Sequence, residues 1–286
     1  MANKITSFST KKTLNCRGKL VSLKRPLVMG IINCTPDSFY DGGHFEDVDN
    51  ALLQATKLLH EGADLLDIGG MSSRPGAAMI SEAQEIKRVL PVIEAIIKKY
   101  PDAILSIDTI KASVAEKAIH AGARMVNDIS AGRVDEMMFD TLAKLKVPYV
   151  MMHMQGLPSN MQLKPHYEDI VTELLDFFNE RIAMALKAGI HDIIIDPGFG
   201  FGKTLEHNYE LLHHLELFNM LELPVLVGVS RKSMIYKLLK TSPQEALNGS
   251  TTVNTIALLK GANILRVHDA KEASEAIRIV EQMMAT

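Results

Sequence analysis

The feature that most constrains the fold is a regular alternation of short apolar runs with longer segments of helical periodicity. The 286-residue chain contains eight runs rich in aliphatic and β-branched residues. These runs span residues 27–32, 65–68, 103–107, 124–127, 148–152, 192–196, 224–229 and 263–267. The amphipathic segments lie at 48–61, 82–99, 111–120, 134–146, 168–188, 206–219, 243–260 and 269–284. Strands that alternate with helices are typical of parallel α/β folds.

Segment 82–99 shows the helical pattern most clearly. Its apolar residues recur at three- and four-residue spacing, at Ile86, Leu90, Ile93 and Ile97. This spacing places them on one face of a helix. Ser81 stands immediately before the segment, where a capping side chain is expected.

Eight strand–helix units are the number that closes a (β/α)8 barrel, also called a TIM barrel. The competing doubly wound sheet has a G-x-G-x-x-G turn after its first strand, whereas here the first run continues into NCTPDSF (33–39). We therefore predict an α/β fold with a single barrel domain over residues 26–286. Residues 1–25 form an N-terminal extension, in which LNCRGKLVSL (14–23) has the character of a short hairpin on the barrel floor.

Composition excludes several classes of protein. Hydrophobic residues make up 47% and charged residues 23%, as in ordinary soluble domains. The 31 Lys and Arg against 34 Asp and Glu give a formal charge of −3, so we expect no nucleic-acid binder. Cys16 and Cys34 are too few for a disulfide framework or a four-thiolate zinc site. Because no secretory leader or membrane-spanning run is visible, we expect a cytoplasmic protein.

Almost every apolar run ends in a polar group that a plain core strand would not choose. These groups are Asn33, Ser73 with Arg74, Asp108, Asn127 with Asp128, His153, Asp196, Ser230 with Arg231 and Lys232, and His268 with Arg266 inside the run. In a (β/α)8 barrel the carboxyl ends of all strands meet at one face, where such enzymes place their chemistry. The pattern therefore predicts a pocket lined by carboxylates, amides and cations.

Several of these residues also have a simpler structural explanation. Asp108 has the position of an N-cap for the helix near Lys111, and Asp128 has that of a residue that packs or caps its own loop. His153 lies among methionines, so we interpret it as structural. The histidines of segment 206–219, at His207, His213 and His214, have no carboxylate cluster at metal spacing, and we expect them on a solvated face.

The glycine-rich string DPGFGFGK (196–203) is not a phosphate-binding P-loop, because its lysine comes one position too early. Glycines after a strand let the backbone approach a flat ligand closely. Phe199 and Phe201 are both candidates for stacking on that ligand.

The remaining polar groups divide into two sets with different chemistry. Arg266 and His268 are two residues apart on a strand and point to the same face, so with Asn33 and Arg74 they could hold a phosphate or diphosphate. Asn33 offers a neutral oxygen suited to Mg²⁺ that bridges substrate phosphates. The acceptors at Asp108, Asn127 and Asp196 suit the N–H groups of a heterocycle, to which Lys232 could donate.

Seven strings in order and spacing resemble the dihydropteroate synthase family, over about residues 27–284. They are MGIINCTPDSFYDGG (29–43), DIGGMSSRPG (67–76), SIDT (106–109), NDIS (127–130), DPGFGFGK (196–203), GVSRKS (228–233) and RVHD (266–269). The resemblance implies a transferase of folate biosynthesis. Such an enzyme joins 6-hydroxymethyl-7,8-dihydropterin diphosphate to 4-aminobenzoate, and releases diphosphate and 7,8-dihydropteroate.

The resemblance also implies a role for each motif residue. The pterin would be bound by Asp108, Asn127, Asp196 and Lys232, and the diphosphate by Arg266, His268 and Asn33, with Mg²⁺ at Asn33. The 4-aminobenzoate would be framed by Phe201, Lys232 and Ser233, and the first two loops would close through Asp37, Phe39, Asp41, Ser73, Arg74 and Pro75. Asp41, Lys232 and Arg266 are the candidate catalytic residues. The family is commonly dimeric, and segments 243–260 and 269–284 are candidate interface helices.

The chain departs from the family pattern at three positions. Ser73 stands where Thr is common, Cys34 where Val is usual and Tyr40 where Ser is usual. The Ser73 hydroxyl is retained, so these changes bear on the response to inhibitors more than on activity. Two other functions are possible for a barrel with part of this pattern. A pterin-binding methyltetrahydrofolate:corrinoid methyltransferase has no need of the SSRPG loop or the Arg266–His268 pair, and a catalytically silent barrel should have lost Lys232, Arg266 or Asn33.

Overall fold

A computed structural model describes residues 11–34, 44–72, 79–156, 161 and 165–285. The described chain begins with an antiparallel hairpin of β1 (Thr13–Cys16) and β2 (Lys19–Ser22). Its two-residue turn, Arg17-Gly18, has positive φ at both positions, which a tight hairpin turn of this hand requires. The hairpin predicted within the N-terminal extension is confirmed.

Eight parallel strands follow and form the barrel. They are β3 (Leu27–Asn33), β4 (Leu65–Gly69), β5 (Leu105–Asp108), β6 (Met125–Asp128), β7 (Tyr149–Met152), β8 (Ile193–Asp196), β9 (Leu226–Val227) and β10 (Ile264–Val267). Hydrogen-bonded neighbours run in the order β8-β7-β6-β5-β4-β3-β10-β9. A parallel bridge between Ile195 and Val225 joins the two ends of this order, so the sheet is nearly closed. The predicted (β/α)8 architecture is confirmed.

The helices surround the strands. They are α1 (His44–His60), α2 (Glu82–Lys99), α3 (Ala112–His120), α4 (Met138–Leu145), α5 (Ile170–Ala188), α6 (Leu205–His213), α7 (Ser233–Tyr236), α8 (Leu247–Leu259) and α9 (Ala270–Met284). The Ser81 side chain accepts from the Gln84 amide and the Gln84 side chain reaches back, so a capping box starts α2 as its sequence predicts. No helix within the described ranges has the length and apolarity that crossing a bilayer demands.

The structure differs from the predicted pattern between residues 206 and 236. Segment 206–219 divides into α6 and a 3-10 helix (Leu215–Leu221), and α7 is an additional short helix. The seventh run forms only the two-residue strand β9, where the sequence predicts six residues. Pro224 has no N–H to donate to a ladder, Val225 forms a single bridge to Ile195, and Arg231 adopts the left-handed φ of a turn, so the regular strand is limited to Leu226 and Val227.

Apolar side chains pack both outside the barrel wall, against the helices, and inside the barrel. The larger core lies between the strands and the helices. A smaller cluster fills the barrel floor, where Leu14, Cys16 and Val21 of the hairpin pack against inward-facing residues such as Met29 and Met125. The hairpin therefore covers the amino ends of the strands and leaves the carboxyl ends as the open face.

Candidate active site

Arg266 lies at the centre of the open face. Its Nε donates to Oδ2 of Asp67 at 2.6 Å, and its Nη2 donates to Oδ2 of Asp108 at 2.8 Å. Burial opposes the charged form, but the carboxylates of Asp67 and Asp108 raise the pKa of Arg266, which stays cationic. In the described part of the chain its Nη1 makes no hydrogen bond, so one face of a fixed guanidinium is available to a ligand.

Asn127 is held in the same network. Its Nδ2 donates to the Asp67 oxygen that also accepts from Arg266, at 2.9 Å. Asn127 is 3% exposed, and its Oδ1 has no hydrogen-bond partner within the described residues. A buried acceptor without a partner costs free energy unless a ligand or water donates to it. The amide is therefore arranged to accept a hydrogen bond.

Lys232 approaches this network from the turn that follows β9. A Cβ atom placed on Gly228 would lie 3.7 Å from the Arg266 Cβ and 3.9 Å from the Lys232 Nζ. The Nζ donates to the Phe199 carbonyl oxygen at 2.5 Å and lies 4.6 Å from the centre of the Phe201 ring. Gly228 therefore lies close to both the Arg266 side chain and the Lys232 ammonium.

Asp196 ends β8 on the other side of Lys232. Its Oδ1 accepts from the Gly198 amide at 2.8 Å, and no hydrogen bond within the described residues engages Oδ2. Burial raises the pKa of the Asp196 carboxyl, although Lys232 acts in the opposite direction. A carboxyl group in this position can accept from a ligand donor.

The titration of the cluster reflects competition between burial and charge. Burial raises the pKa of Asp108 to about 7, against the opposing effect of the Arg266 guanidinium. Burial lowers the pKa of Lys232 to about 8, although the Asp196 carboxylate favours the ammonium. Both groups can therefore change protonation state near neutral pH, which is common at functional sites.

His268 lies at the mouth of the cleft, where its side chain has access to solvent. Its Nδ1 is 3.1 Å from the Ser230 Oγ, which also accepts from the His268 amide. Partial burial by the surrounding walls and then the Arg266 charge lower the pKa of His268 to about 4, so the ring is neutral. Arg231 and Asp269 form a two-point ion pair at 2.7 and 2.9 Å that joins the two segments carrying Lys232 and His268.

Asp128 has a structural position, unlike its neighbour Asn127. Its carboxylate accepts from the Ser130 amide and hydroxyl, the Gly132 amide and the Tyr149 hydroxyl, at 2.6 to 2.7 Å. It is fully buried. These contacts show that Asp128 organises its own loop, in agreement with the packing interpretation.

The glycine-rich loop separates the roles of its two phenylalanines. Phe199 is fully buried in the barrel wall, whereas the Phe201 ring is partly exposed beside Lys232. Of the two stacking candidates, Phe201 is therefore the one that reaches the cleft. Ser233 begins α7 directly after Lys232 and is half-buried.

Asn33 ends β3 at the edge of the cleft. A Cβ atom placed on Gly69 would lie 3.9 Å from the Asn33 Oδ1 and 3.6 Å from the Asp108 Oδ2, so the neighbouring strand end leaves space around this oxygen. Within the described ranges, no group of three His, Cys, Asp or Glu side chains could hold a metal ion. The donor set therefore fits Mg²⁺ only as a single neutral oxygen ligand, with the remaining positions taken by water and an anionic substrate.

Four predicted loop residues, Asp37, Phe39, Asp41 and Pro75, and the predicted ligands Ser73 and Arg74 lie outside the described residues. The other predicted residues lie at the carboxyl ends of the strands or in the segments that follow them. Asp67 was missed by sequence reasoning, although a lone aspartate inside the apolar run LLDI was a visible signal. Ser230 lies at a strand end, and nothing in the sequence predicts its contact with His268.

Comparisons with known proteins agree with this geometry. A family profile described as pterin binding enzyme matches residues 29–268. The dihydropteroate synthase of Escherichia coli strain K12 is 44% identical over 274 residues, which is 95% of this chain and 96% of the relative. The crystal structure of the Yersinia pestis dihydropteroate synthase in complex with a sulfonamide drug has a TM-score of 0.91 and 48% identity, and covers 96% of this chain and 100% of that one.

A second solved structure, the Xanthomonas albilineans dihydropteroate synthase with 4-aminobenzoic acid, has a TM-score of 0.91 and 43% identity, and covers 97% of this chain and 100% of that one. A barrel with this acceptor-lined, cationic cleft defines a pterin-binding enzyme, and the chain belongs to that family. Within it, the similarity over nearly the whole length places the chain among the dihydropteroate synthases, which are transferases.

Proposed function

We propose that the cleft at the carboxyl ends of the strands is where this chain joins 6-hydroxymethyl-7,8-dihydropterin diphosphate to 4-aminobenzoate. The observation that supports this location best is the continuous contact network of Asp67, Asp108, Asn127 and Arg266, with Lys232 beside it. The network offers acceptors for a heterocycle and a cation for its leaving group within a single cleft.

The pterin ring binds at the deep end of this cleft. Its N–H and amino groups are donors, and Asp108, Asn127 and Asp196 each offer an oxygen that is not fully used. The unpartnered Asn127 Oδ1 gains a hydrogen bond when the ring enters. Lys232 complements these acceptors, because an ammonium can only donate and so binds an acceptor atom of the ring.

The diphosphate lies nearer the mouth. The free Nη1 of Arg266 provides a charge-assisted hydrogen bond, and the neutral His268 ring provides a further donor. Arg74, which the sequence predicts as a further anion ligand, adds a second guanidinium to the donors for the diphosphate. Asn33 would hold a Mg²⁺ ion through its Oδ1, and the ion would supply positive charge that stabilises the diphosphate leaving group.

The 4-aminobenzoate occupies the shallower part of the cleft. The Phe201 ring provides an aromatic wall, and Lys232 lies against that ring at 4.6 Å. Ser233 adds a hydroxyl at the start of α7. The same lysine thus borders both substrates, which places the amine near the pterin methylene carbon.

The reaction exchanges one bond on that carbon. The C–O bond to the diphosphate breaks with its electron pair on the leaving oxygen, the amine nitrogen forms the new C–N bond, and the amine passes one proton to solvent. Arg266 stabilises the negative charge that develops on the leaving group. Asp41 stabilises positive charge on the pterin methylene, a role that rests on the resemblance of its motif.

We also propose that the enzyme is a homodimer in the cytoplasm. Exposed apolar side chains on α8 and α9 support the dimer, including Leu259, Ile279 and Met283, which are 51%, 70% and 52% exposed. Light scattering at micromolar concentration tests the oligomeric state, since a monomer mass would contradict it.

The activity is tested by mixing the purified chain with the pterin diphosphate, 4-aminobenzoate and Mg²⁺. We expect 7,8-dihydropteroate and diphosphate in equal amounts. A parallel reaction offers methyltetrahydrofolate and a corrinoid protein, and we expect no methyl transfer. Methyl transfer without pteroate formation would overturn the proposal.

A further inference from the structure

The glycine-rich loop between β8 and α6 lies directly on the chain that follows β7. A Cβ atom on Gly198 would lie 1.9 Å from the His153 carbonyl oxygen, and one on Gly202 would lie 2.5 Å from the Gln155 carbonyl oxygen. Both glycines have positive φ, at 72° and 62°. No side chain fits at either position, so the two backbones are in contact. This contact is where Lys203 is buried.

Lys203 is 3% exposed and has an unusual set of partners. Its Nζ lies 3.0 Å from the His153 Nδ1, 3.1 Å from the Phe201 carbonyl oxygen and 3.4 Å from the His153 carbonyl oxygen. An ammonium has three N–H groups, and three acceptors surround this one. Among the described residues, no carboxylate lies within ion-pair distance of it.

The contact fixes the chemistry of His153. With the Lys203 ammonium as the donor, Nδ1 is the acceptor, which assigns the ring proton to Nε2. Burial and then the Lys203 charge lower the pKa of His153, which keeps the ring neutral. Burial also lowers the pKa of Lys203, although Asp196 favours its charged form. A buried lysine held only by neutral acceptors is costly, so simple packing accounts for it poorly.

The loop segment that Lys203 holds is the segment that borders the cleft. One of its acceptors is the carbonyl of Phe201, whose ring lies against Lys232. The Phe199 carbonyl two residues earlier accepts from the Lys232 Nζ. Lys203 therefore holds the glycine-rich loop against the chain that follows β7. This loop carries the Phe201 ring, which is the aromatic wall of the cleft, and the Phe199 carbonyl that accepts from Lys232.

We propose that Lys203 and His153 form a positioning pair for 4-aminobenzoate, in which Lys203 acts through the Phe201 backbone to hold the aromatic wall of the cleft. This inference rests on the proposed function, since it assumes that Phe201 borders the aminobenzoate. The pair does not touch the substrate. Its removal displaces the Phe201 wall and leaves the pterin contacts on β5, β6 and β8 in place.

The first experiment measures the two substrates separately in Lys203→Met. We expect the KM for 4-aminobenzoate to rise by about tenfold, because the Phe201 wall is no longer held in place, while the Kd for the pterin diphosphate changes by less than about twofold. Lys260→Met is the matched control, because Lys260 also bridges to a backbone carbonyl and lies away from the cleft. Equal weakening of both substrates would show a general structural role and would overturn the proposal.

A double-mutant cycle tests whether Lys203 acts through Phe201. In the Phe201→Ala background, we expect Lys203→Met to change the KM for 4-aminobenzoate by less than about twofold, because the wall it positions is already gone. Additive effects of the two substitutions would contradict the pair's positioning role.

A second series keeps the test informative if Lys203→Met fails to fold. His153→Leu removes one acceptor of Lys203, whereas His153→Asn retains an oxygen near the position of Nδ1. We expect the KM for 4-aminobenzoate to rise in the leucine variant and to recover in the asparagine variant. No difference between the two would count against the pair. An inactive wild-type enzyme would contradict the proposed function, whereas an active enzyme with unselective variants would contradict only this inference.

Discussion

Asp67 lies beneath Arg266 and fixes the direction of its guanidinium. The two residues are 199 positions apart in the chain and are joined by a 2.6 Å hydrogen bond from Nε to Oδ2. The same oxygen accepts from Asn127. One buried carboxylate thus orients both a cation proposed for the diphosphate and an amide proposed for the pterin.

The first prediction concerns this carboxylate. Asp67→Asn should raise the Kd for the pterin diphosphate by about tenfold or more, because a neutral amide orients a guanidinium less strongly than a carboxylate does. The change is measured by equilibrium binding, with Asp64→Asn as control. Asp64 also pairs with an arginine, Arg25, but at the exposed floor of the barrel. An equal increase in this Kd in both variants would show that Asp67 has no specific role in binding the pterin diphosphate.

Arg266→Ala should affect diphosphate binding far more than folding at low pH. We expect the affinity for inorganic diphosphate to fall by about 30-fold or more with the loss of a charge-assisted contact. Isothermal titration measures the binding and urea denaturation measures the free energy of unfolding. Equal losses in both would contradict the assigned role.

The stability of this variant should also depend on pH. The pKa of Asp108 is already raised from 3.8 to about 7 in the folded chain, and without Arg266 the raising effect of burial is no longer opposed. The folded state then binds more protons than the unfolded state, so stability falls as pH rises. We expect Arg266→Ala to lose more stability at pH 8 than at pH 5, and Asp108→Asn in the same background to reduce that difference.

The protonation of Lys232 should limit substrate binding at high pH. Its pKa is lowered to about 8, so the ammonium is lost progressively above that value. We expect the affinity for the pterin diphosphate to fall by up to about tenfold per pH unit above pH 8. Lys232→Arg keeps its charge over this range and should give a flatter profile. The same decline in both proteins would assign the titration to another group.

The adjacent residues Asn127 and Asp128 should behave in opposite ways. Asp128→Ala leaves four donors without their acceptor and should destabilise the fold by about 2–4 kcal/mol. Asn127→Ala should destabilise the fold less, because Arg266 still donates to the same Asp67 oxygen, and should weaken pterin binding. Urea denaturation and pterin-binding measurements on both variants test this. Greater destabilisation by Asn127→Ala, together with greater loss of pterin affinity in Asp128→Ala, would contradict both assignments.

The sequence predicted the barrel because each strand–helix unit is specified locally. Ser81 starts α2 and Gly189, with φ of 94°, ends α5, and such signals need no knowledge of distant residues. The seventh run was the exception. Its hydrophobic residues predict a six-residue strand, but Pro224 and the turn at Arg231 limit the regular strand to Leu226 and Val227, with Val225 in a single bridge to Ile195.

The sequence predicts which residues lie near one another at the cleft, but it does not predict which of them form hydrogen bonds with each other. The strand ends identified Asp108, Asn127, Asp196 and Arg266 as neighbours. Which carboxylate pairs with Arg266 depends on strand register across the barrel. The sequence alone therefore does not identify Asp67 as the partner of Arg266. Likewise, the string GFGFGK does not reveal that its lysine reaches the chain after β7, because that contact depends on how the loop folds back.

Metal dependence gives a further prediction. Asn33→Ala should raise the Mg²⁺ concentration for half-maximal activity, because the described residues offer no carboxylate cluster to replace the lost oxygen. Activity is titrated with Mg²⁺ at saturating substrates. Asn15→Ala, on the barrel floor, is the control. An unchanged Mg²⁺ requirement would exclude Asn33 as a ligand.

The most direct test of the account is a crystal structure of the wild-type protein with 7,8-dihydropteroate bound. The account predicts the pterin ring within hydrogen-bond distance of Asp108, Asn127 and Asp196, with the aminobenzoate ring against Phe201. Product density at the hairpin end of the barrel, or a pterin ring without contacts to these acceptors, would contradict it.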